Sequence, residues 1–153
     1  EEEMLSWTST GDLSPLGAAF PRLERLFVHA GQALLSAPTF PNLRSLELRT
    51  TSLTSELVSA LARAPWPVLR HLGLWFGSRS YGVNLSVDDV RPLLDAPLPS
   101  LTSLALANTE LTDELCGVLC QHPLLRVSRD SHLRHEGIQS PRRAIERRPD
   151  QAR

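Results

Sequence analysis

One short pattern occurs four times in this chain and limits the folds that it can adopt. In each copy, a Pro is followed two residues later by a Leu that opens a triplet of the form Leu-x-x-Leu-x-apolar. The triplets are Leu23/Leu26/Val28, Leu43/Leu46/Leu48, Leu69/Leu72/Leu74 and Leu101/Leu104/Leu106. Their first leucines are 20, 26 and 32 residues apart, and periods of roughly 20–50 residues indicate a repeat architecture.

The second half of each triplet predicts a β-strand. Alternate residues of a strand face opposite sides, so the last two apolar residues of a triplet point inward and the residue between them points outward. The first Leu lies in the turn before the strand and covers the same core. A Pro at this point is tolerated because no ladder donor is needed before the strand begins.

A helix is expected after each strand. Residues 51–57 match residues 109–115 at an offset of 58, and both segments have a Thr where a helix N-cap would lie and a Glu in the first turn. Signals for a helix start occur at Thr54, Thr112, Ser86-Val87-Asp88-Asp89 and Ser14-Pro15. A strand and a helix per repeat predict an α/β chain in which each repeat buries one face on its neighbours.

The sequence Leu-x-x-Leu-x-Leu-x-x-Thr-x-Leu followed by a helix resembles the leucine-rich-repeat superfamily, nearest in layout to ribonuclease-inhibitor-like repeats, over about residues 5–125. The usual ninth-position Asn is replaced by Thr51, Thr109, Gly31 and Gly77. The segments Leu5-Ser6-Trp7, Asp12-Leu13-Ser14-Pro15-Leu16, Leu74-Trp75-Phe76-Gly77 and Tyr81-Gly82 are similar to an uncharacterised bacterial leucine-rich-repeat family. The resemblance implies a short solenoid, or horseshoe, of about four strand-helix repeats with a parallel sheet on its concave face, and a bacterial source.

The repeats predict one domain over residues 1–125, with repeats starting near residues 20, 40, 66 and 98. A fifth repeat begins at His122 but fails, because Ser128 and Asp130 occupy its apolar positions. Residues 126–153 carry 8 Arg against 4 acidic residues and few large apolar ones, which is typical of a segment that cannot order itself. A natural disordered tail and the aberrant end of a frameshifted gene both fit this composition.

The outward strand positions form the candidate binding surface. They include Phe27 and Trp75, two large apolar side chains where a core would not need them, and exposed aromatic residues near Arg and His are typical of binding surfaces. The predicted partner-binding residues are Arg25, Phe27, His29, Glu47, Arg49, His71 and Trp75. An alternative is that residues 78–85 cover Trp75 and Phe76, which would make both rings local packing.

Catalysis and metal binding are weaker interpretations. Glu47, His29 and His71 could form an acid–base pair on adjacent strands, but the chain has no nucleophile motif, phosphate loop or run of metal ligands. Cys116 and Cys120, near His122, take the places of Val58 and Ala62 at the offset of 58 and are predicted to be apolar fillers of a helix face. We therefore predict no catalytic residue, no metal and no cofactor.

The expected partner is a protein of unknown identity. The longest stretch without Asp, Glu or Arg runs from residue 26 to residue 43 and contains His, Gln, Asn and two Pro, so no membrane association is expected. Without an export signal, and with only two Cys, the cytoplasm is the expected location. Nucleic-acid binding through the Arg-rich tail is an alternative, and the uncapped last repeat is a candidate surface for self-association.

Overall fold

The computed structural model of the protein describes residues 8–122, which form a mixed α/β structure with parallel strands. The strands are β1 (Ser9–Asp12), β2 (Arg25–Ala30), β3 (Gln32–Leu34), β4 (Ser45–Thr50), β5 (His71–Trp75) and β6 (Ser103–Ala107). The helices are α1 (Leu16–Ala19), α2 (Ser55–Arg63), α3 (Val87–Leu94) and α4 (Thr112–Gln121), and a 3-10 turn spans Arg79–Tyr81. The predicted α/β class with a parallel sheet is confirmed.

The main sheet has four parallel strands in the order β2-β4-β5-β6, which is also their order in the chain. The second residues of the four triplets pair across it in one continuous row, from Leu26 through Leu46 and Leu72 to Leu104. The third residues form a parallel row two positions further along. The alignment predicted from the triplets is therefore the register of the sheet.

The turns that open these strands repeat as closely as the strands do. The carbonyl oxygens of Glu24, Arg44 and Arg70 each accept two backbone N–H groups from the next strand opening, at 2.8–3.0 Å. A side-chain hydrogen bond also links the first two openings, since Nδ2 of Asn42, the residue after Pro41, donates to the Pro21 carbonyl at 2.8 Å. These bonds satisfy backbone groups that a Pro-containing turn would otherwise leave unpaired.

The core lies between one face of this sheet and the helices. Leu46, Leu48, Leu72 and Leu74 are at most 1% exposed and belong to one apolar cluster with residues of α2 and α3. Two of the residues that precede the Pro of an opening join the same layer, since Phe40 stacks parallel to Trp66 at 6.3 Å, whereas Phe20 is 57% exposed. The Trp66 indole donates to the Leu61 carbonyl at 2.8 Å, so its polar nitrogen is satisfied although the ring is buried.

Of the four predicted helix starts, those at Thr54 and Ser86 are confirmed and that at Thr112 is wrong. The start at Ser14-Pro15 was predicted one residue too early, because Pro15 is the N-cap of α1 and no side chain caps this helix. The Thr54 hydroxyl accepts from the Leu57 N–H at 3.3 Å and caps α2 as expected. At α3, the Asp89 carboxylate accepts from both the N–H and the hydroxyl of Ser86, at 2.8 and 2.7 Å. Thr112, in contrast, is the first helical residue of α4, and its hydroxyl donates to the Thr109 carbonyl instead of capping the helix.

The prediction of a helix after every strand is wrong for β2. Residues 31–44 contain no helix, and the short β3 in this segment pairs in parallel with β1. The spacing of 20 residues leaves little room for a helix between two strands, and Pro38 and Pro41 oppose one. Leu35 and Phe40, which are 0% and 2% exposed, fill the layer that a helix occupies elsewhere.

The two cysteines do not have the predicted buried role. Cys116 and Cys120 are both exposed, whereas Val58, the counterpart of Cys116, is 0% exposed. Val58 is covered because α2 packs against α3, and no described element lies beyond α4 to cover the matching face. The predicted tail, residues 126–153, lies outside the described residues.

Candidate functional site

The candidate site is the face of the main sheet opposite the helices, called here the outer face. It is formed by the alternate residues of the four strands, because the residues between them point into the core. These residues are Arg25, Phe27 and His29 of β2, Ser45, Glu47 and Arg49 of β4, His71, Gly73 and Trp75 of β5, and Ser103, Ala105 and Ala107 of β6. All seven predicted binding residues lie on this one face.

Arg49 is the centre of the outer face. Its guanidinium carbon lies 4.4 Å from the centroid of the Trp75 ring and 5.2 Å from that of the Phe27 ring. The two rings belong to the strands on either side of β4, so the cation lies between them. Contacts of this kind stabilise exposed sites by about 0.5–1 kcal/mol each.

Glu47 fixes the position of the same guanidinium. Its Oε1 accepts from Arg49 Nε at 2.7 Å, and the two side chains are 26% and 38% exposed. A charge-assisted hydrogen bond of this length is stronger than a neutral one. Arg49 is therefore held by a carboxylate along one edge and by rings on neighbouring strands.

The two aromatic side chains remain accessible. Phe27 is 55% exposed and Trp75 is 36% exposed, whereas Phe76, the next residue, is 1% exposed. The alternative that residues 78–85 cover both rings is therefore wrong for Trp75, and the buried Phe76 belongs to the main apolar cluster. His29 meets the edge of the Phe27 ring at 6.5 Å, which extends the aromatic surface along β2.

Gly73 makes room for the polar groups at the centre of the face. A Cβ at this position would lie 3.1 Å from the Cγ of Glu47 and 3.3 Å from Nε2 of His71. Both distances are tighter than ordinary van der Waals contact, so even an Ala would push one of these side chains aside. Gly73 was not among the predicted binding residues, although its outward position between His71 and Trp75 was a usable signal.

The candidate acid–base residues are brought onto one face, but Glu47 and His71 form hydrogen bonds with other residues. His71 Nδ1 lies 3.0 Å from the Ser103 hydroxyl, and the Glu47 carboxylate accepts from Arg49. Among residues 8–122, no hydrogen bond joins Glu47 to His29 or His71. The pairing of His71 with Ser103 was not predicted, although the triplets put Ser103 beside His71 in the predicted register.

Arg25 differs from Arg49 in having no anionic neighbour. It is exposed at the start of β2, and its guanidinium makes no ion pair or hydrogen bond within the part of the chain that the structure describes. The outer face thus presents two guanidinium groups and two imidazoles against one carboxylate, that of Glu47, which Arg49 already engages.

The described segment contains no group of three or more His, Cys, Asp or Glu residues that could hold a metal ion. None of the described helices is long and apolar enough to span a membrane. The Arg-rich tail, on which the nucleic-acid alternative depends, falls outside residues 8–122.

Comparison with known proteins adds one structural relative. A crystal structure of a Bacteroides fragilis protein, a structural genomics target, superimposes on this chain with a TM-score of 0.71 at 28% sequence identity. The match covers 80% of this chain and 35% of the other protein, so this chain spans about a third of the length of that relative. No known family model and no curated protein matches the sequence.

Proposed function

We propose that this chain is a leucine-rich-repeat scaffold that binds a protein partner through the outer face, and that it is not an enzyme. The repeated triplets, their common register and the shared hydrogen-bond pattern at the strand openings support the repeat assignment. In this proposal the four strands line the concave side of a short solenoid.

The observation that carries the binding proposal is the exposed pair of rings around Arg49. Leaving a Phe and a Trp more than a third exposed on one sheet face costs about 25 cal/mol for each Å² of apolar surface in water. A partner that covers both rings recovers this free energy. Aromatic residues and Arg are also the side chains most often found at the centres of protein interfaces.

The alternative that Glu47 and a histidine catalyse a reaction has less support. The Glu47 carboxylate bonds to Arg49 and the His71 ring bonds to Ser103, so these two side chains are not hydrogen-bonded to each other as an acid–base pair would be. The outer face is also an open sheet surface, and a site that admits water stabilises charged transition states poorly.

The experiment is a capture of binding proteins from the source cell with the complete chain as bait. The test variant is Trp75→Ala combined with Arg49→Ala, and the control is Tyr81→Ala, which removes an aromatic side chain that is 53% exposed and lies off the outer face. We expect the double variant to lose the captured proteins, the control to keep them, and the circular dichroism spectra of both to match that of the parent. Captured proteins that remain bound to the folded double variant would contradict the proposal.

A further inference from the structure

We infer that the outer face selects an acidic segment of its partner, in which two carboxylates lie about four residues apart in an extended strand. This inference rests on the proposed function, since it names the chemistry of the partner at the same surface. It depends on the unequal charges of the face, on the fixed position of Arg49 and on the position of Arg25.

The Arg49 guanidinium has hydrogen-bond donors that Glu47 does not engage. Glu47 takes the Nε proton at 2.7 Å, and the two terminal nitrogens form no hydrogen bond with any residue between 8 and 122. The rings of Phe27 and Trp75 flank the guanidinium, so the accessible donors lie along its edge. A planar guanidinium edge matches the two oxygens of a carboxylate.

The position of Arg49 also lowers the cost of binding. A free Arg side chain loses rotamer entropy when it is fixed. Here the carboxylate of Glu47 and the two rings already hold the side chain, so less of this entropy remains to be lost when a partner binds.

Arg25 supplies a second anion contact at a defined separation. The register pairs His29 of β2 with Arg49 of β4. Arg25 precedes His29 by four residues, so it lies one strand across from Arg49 and four residues away along the strand direction. At about 3.3 Å per residue and 4.8 Å between strands, the two Cα atoms are separated by about 14 Å. An extended peptide covers that distance in about four residues, so carboxylates with this spacing lie opposite the two Arg positions of the sheet.

A nucleic acid fits this surface less well than an acidic peptide. Nucleic-acid backbones carry closely spaced phosphates, and proteins that bind them neutralise several with Lys and Arg. Residues 8–122 contain 8 Arg against 10 acidic residues, and the outer face itself includes Glu47. Two separated cations beside exposed rings match a peptide with a few acidic side chains and apolar residues between them.

The test begins with a selection from random 12-residue displayed peptides on the complete chain at low salt. The strongest binder is then synthesised in its acidic form and in amide forms, in each of which one Glu or Asp is replaced by Gln or Asn. The affinity of each form for the parent protein is measured by titration. We expect acidic peptides to be enriched, and the amide form to bind about tenfold more weakly, because one charge-assisted contact is lost.

Protein variants locate the contacts. Arg25→Gln is expected to weaken the acidic peptide about tenfold, and Arg63→Gln, an equal change of charge on exposed Arg63 of α2, is expected to leave its affinity unchanged. Arg49→Lys keeps the charge but loses the planar edge, and we expect it to weaken binding of the same peptide severalfold.

Three results would overturn the inference, and they affect the proposed function differently. If enriched peptides lack acidic residues but lose binding in Phe27→Ala and Trp75→Ala, the acidic inference is wrong and the scaffold proposal stands. If no peptide is enriched, or if bound peptides are indifferent to every outer-face variant, both are wrong. If a 12-nucleotide single-stranded DNA binds the outer face more tightly than the selected peptide, the partner class is wrong.

Discussion

Removal of one inward leucine tests the register on which every placement above depends. Leu46 lies in the second strand of the sheet with neighbours on both sides and is 0% exposed. The substitution Leu46→Ala removes three carbon groups, which costs about 2.4 kcal/mol of transfer free energy at about 0.8 kcal/mol each. A cavity term raises the expected loss to about 3–4 kcal/mol, within the range of about 2–5 kcal/mol for buried Leu truncations.

The measurement is urea unfolding followed by circular dichroism. With a denaturant slope of about 2 kcal/mol per molar, the loss lowers the unfolding midpoint by about 1.5–2 M. The matched control is Ser45→Ala, one position away on the outer face and half-exposed, which is expected to change the free energy of unfolding by less than about 0.5 kcal/mol. Equal losses for the two variants would show that the inward and outward positions have been assigned incorrectly.

Three further predictions concern turns, caps and thiols. Gly77 has a φ of 86° and a Cβ there would lie 1.8 Å from a backbone oxygen, so Gly77→Ala should lower the free energy of unfolding by more than about 3 kcal/mol. Gly82 has a similar φ of 88° but open space around it, so Gly82→Ala should lower that free energy by only about 1–2 kcal/mol in the same assay. The hydrogen bonds from the Ser86 N–H and hydroxyl hold the pKa of Asp89 below its ordinary value of 3.8. The ionised Asp89 carboxylate therefore stabilises the fold above pH 3.8, and this contribution is lost as the pH falls through the lower pKa of the folded state. A difference in stability between the parent and Asp89→Asn that does not shrink in acid would contradict this. The two exposed thiols of α4 should react with a thiol reagent in the native protein at rates near those of the unfolded chain, and strong protection of either would show that it is covered.

The register of the sheet could be predicted from the sequence because it depends on a period of two and on repeated triplets. A shift of one residue would send Leu46 and Leu48 to the outer face and Glu47 into the core, which is too costly to compete. The same alternation identified the residues of the outer face, including Arg49 and Trp75. The local signals at Thr54 and Ser86 were also sufficient to predict the starts of α2 and α3, since a cap depends on backbone groups only three residues away.

Other features depend on groups that are distant in sequence, and only the tertiary structure decided them. Whether Cys116 is buried depends on the element beyond α4 and not on its likeness to Val58, which α3 covers. The segment after β2 forms a strand because β1 offers it a partner, although the repeat pattern favoured a helix. The contact of Arg49 with rings on two other strands follows from side-chain directions across the sheet, which a linear sequence does not encode pair by pair. The sequence therefore determined which side chains share a face, and long-range packing determined which of them touch.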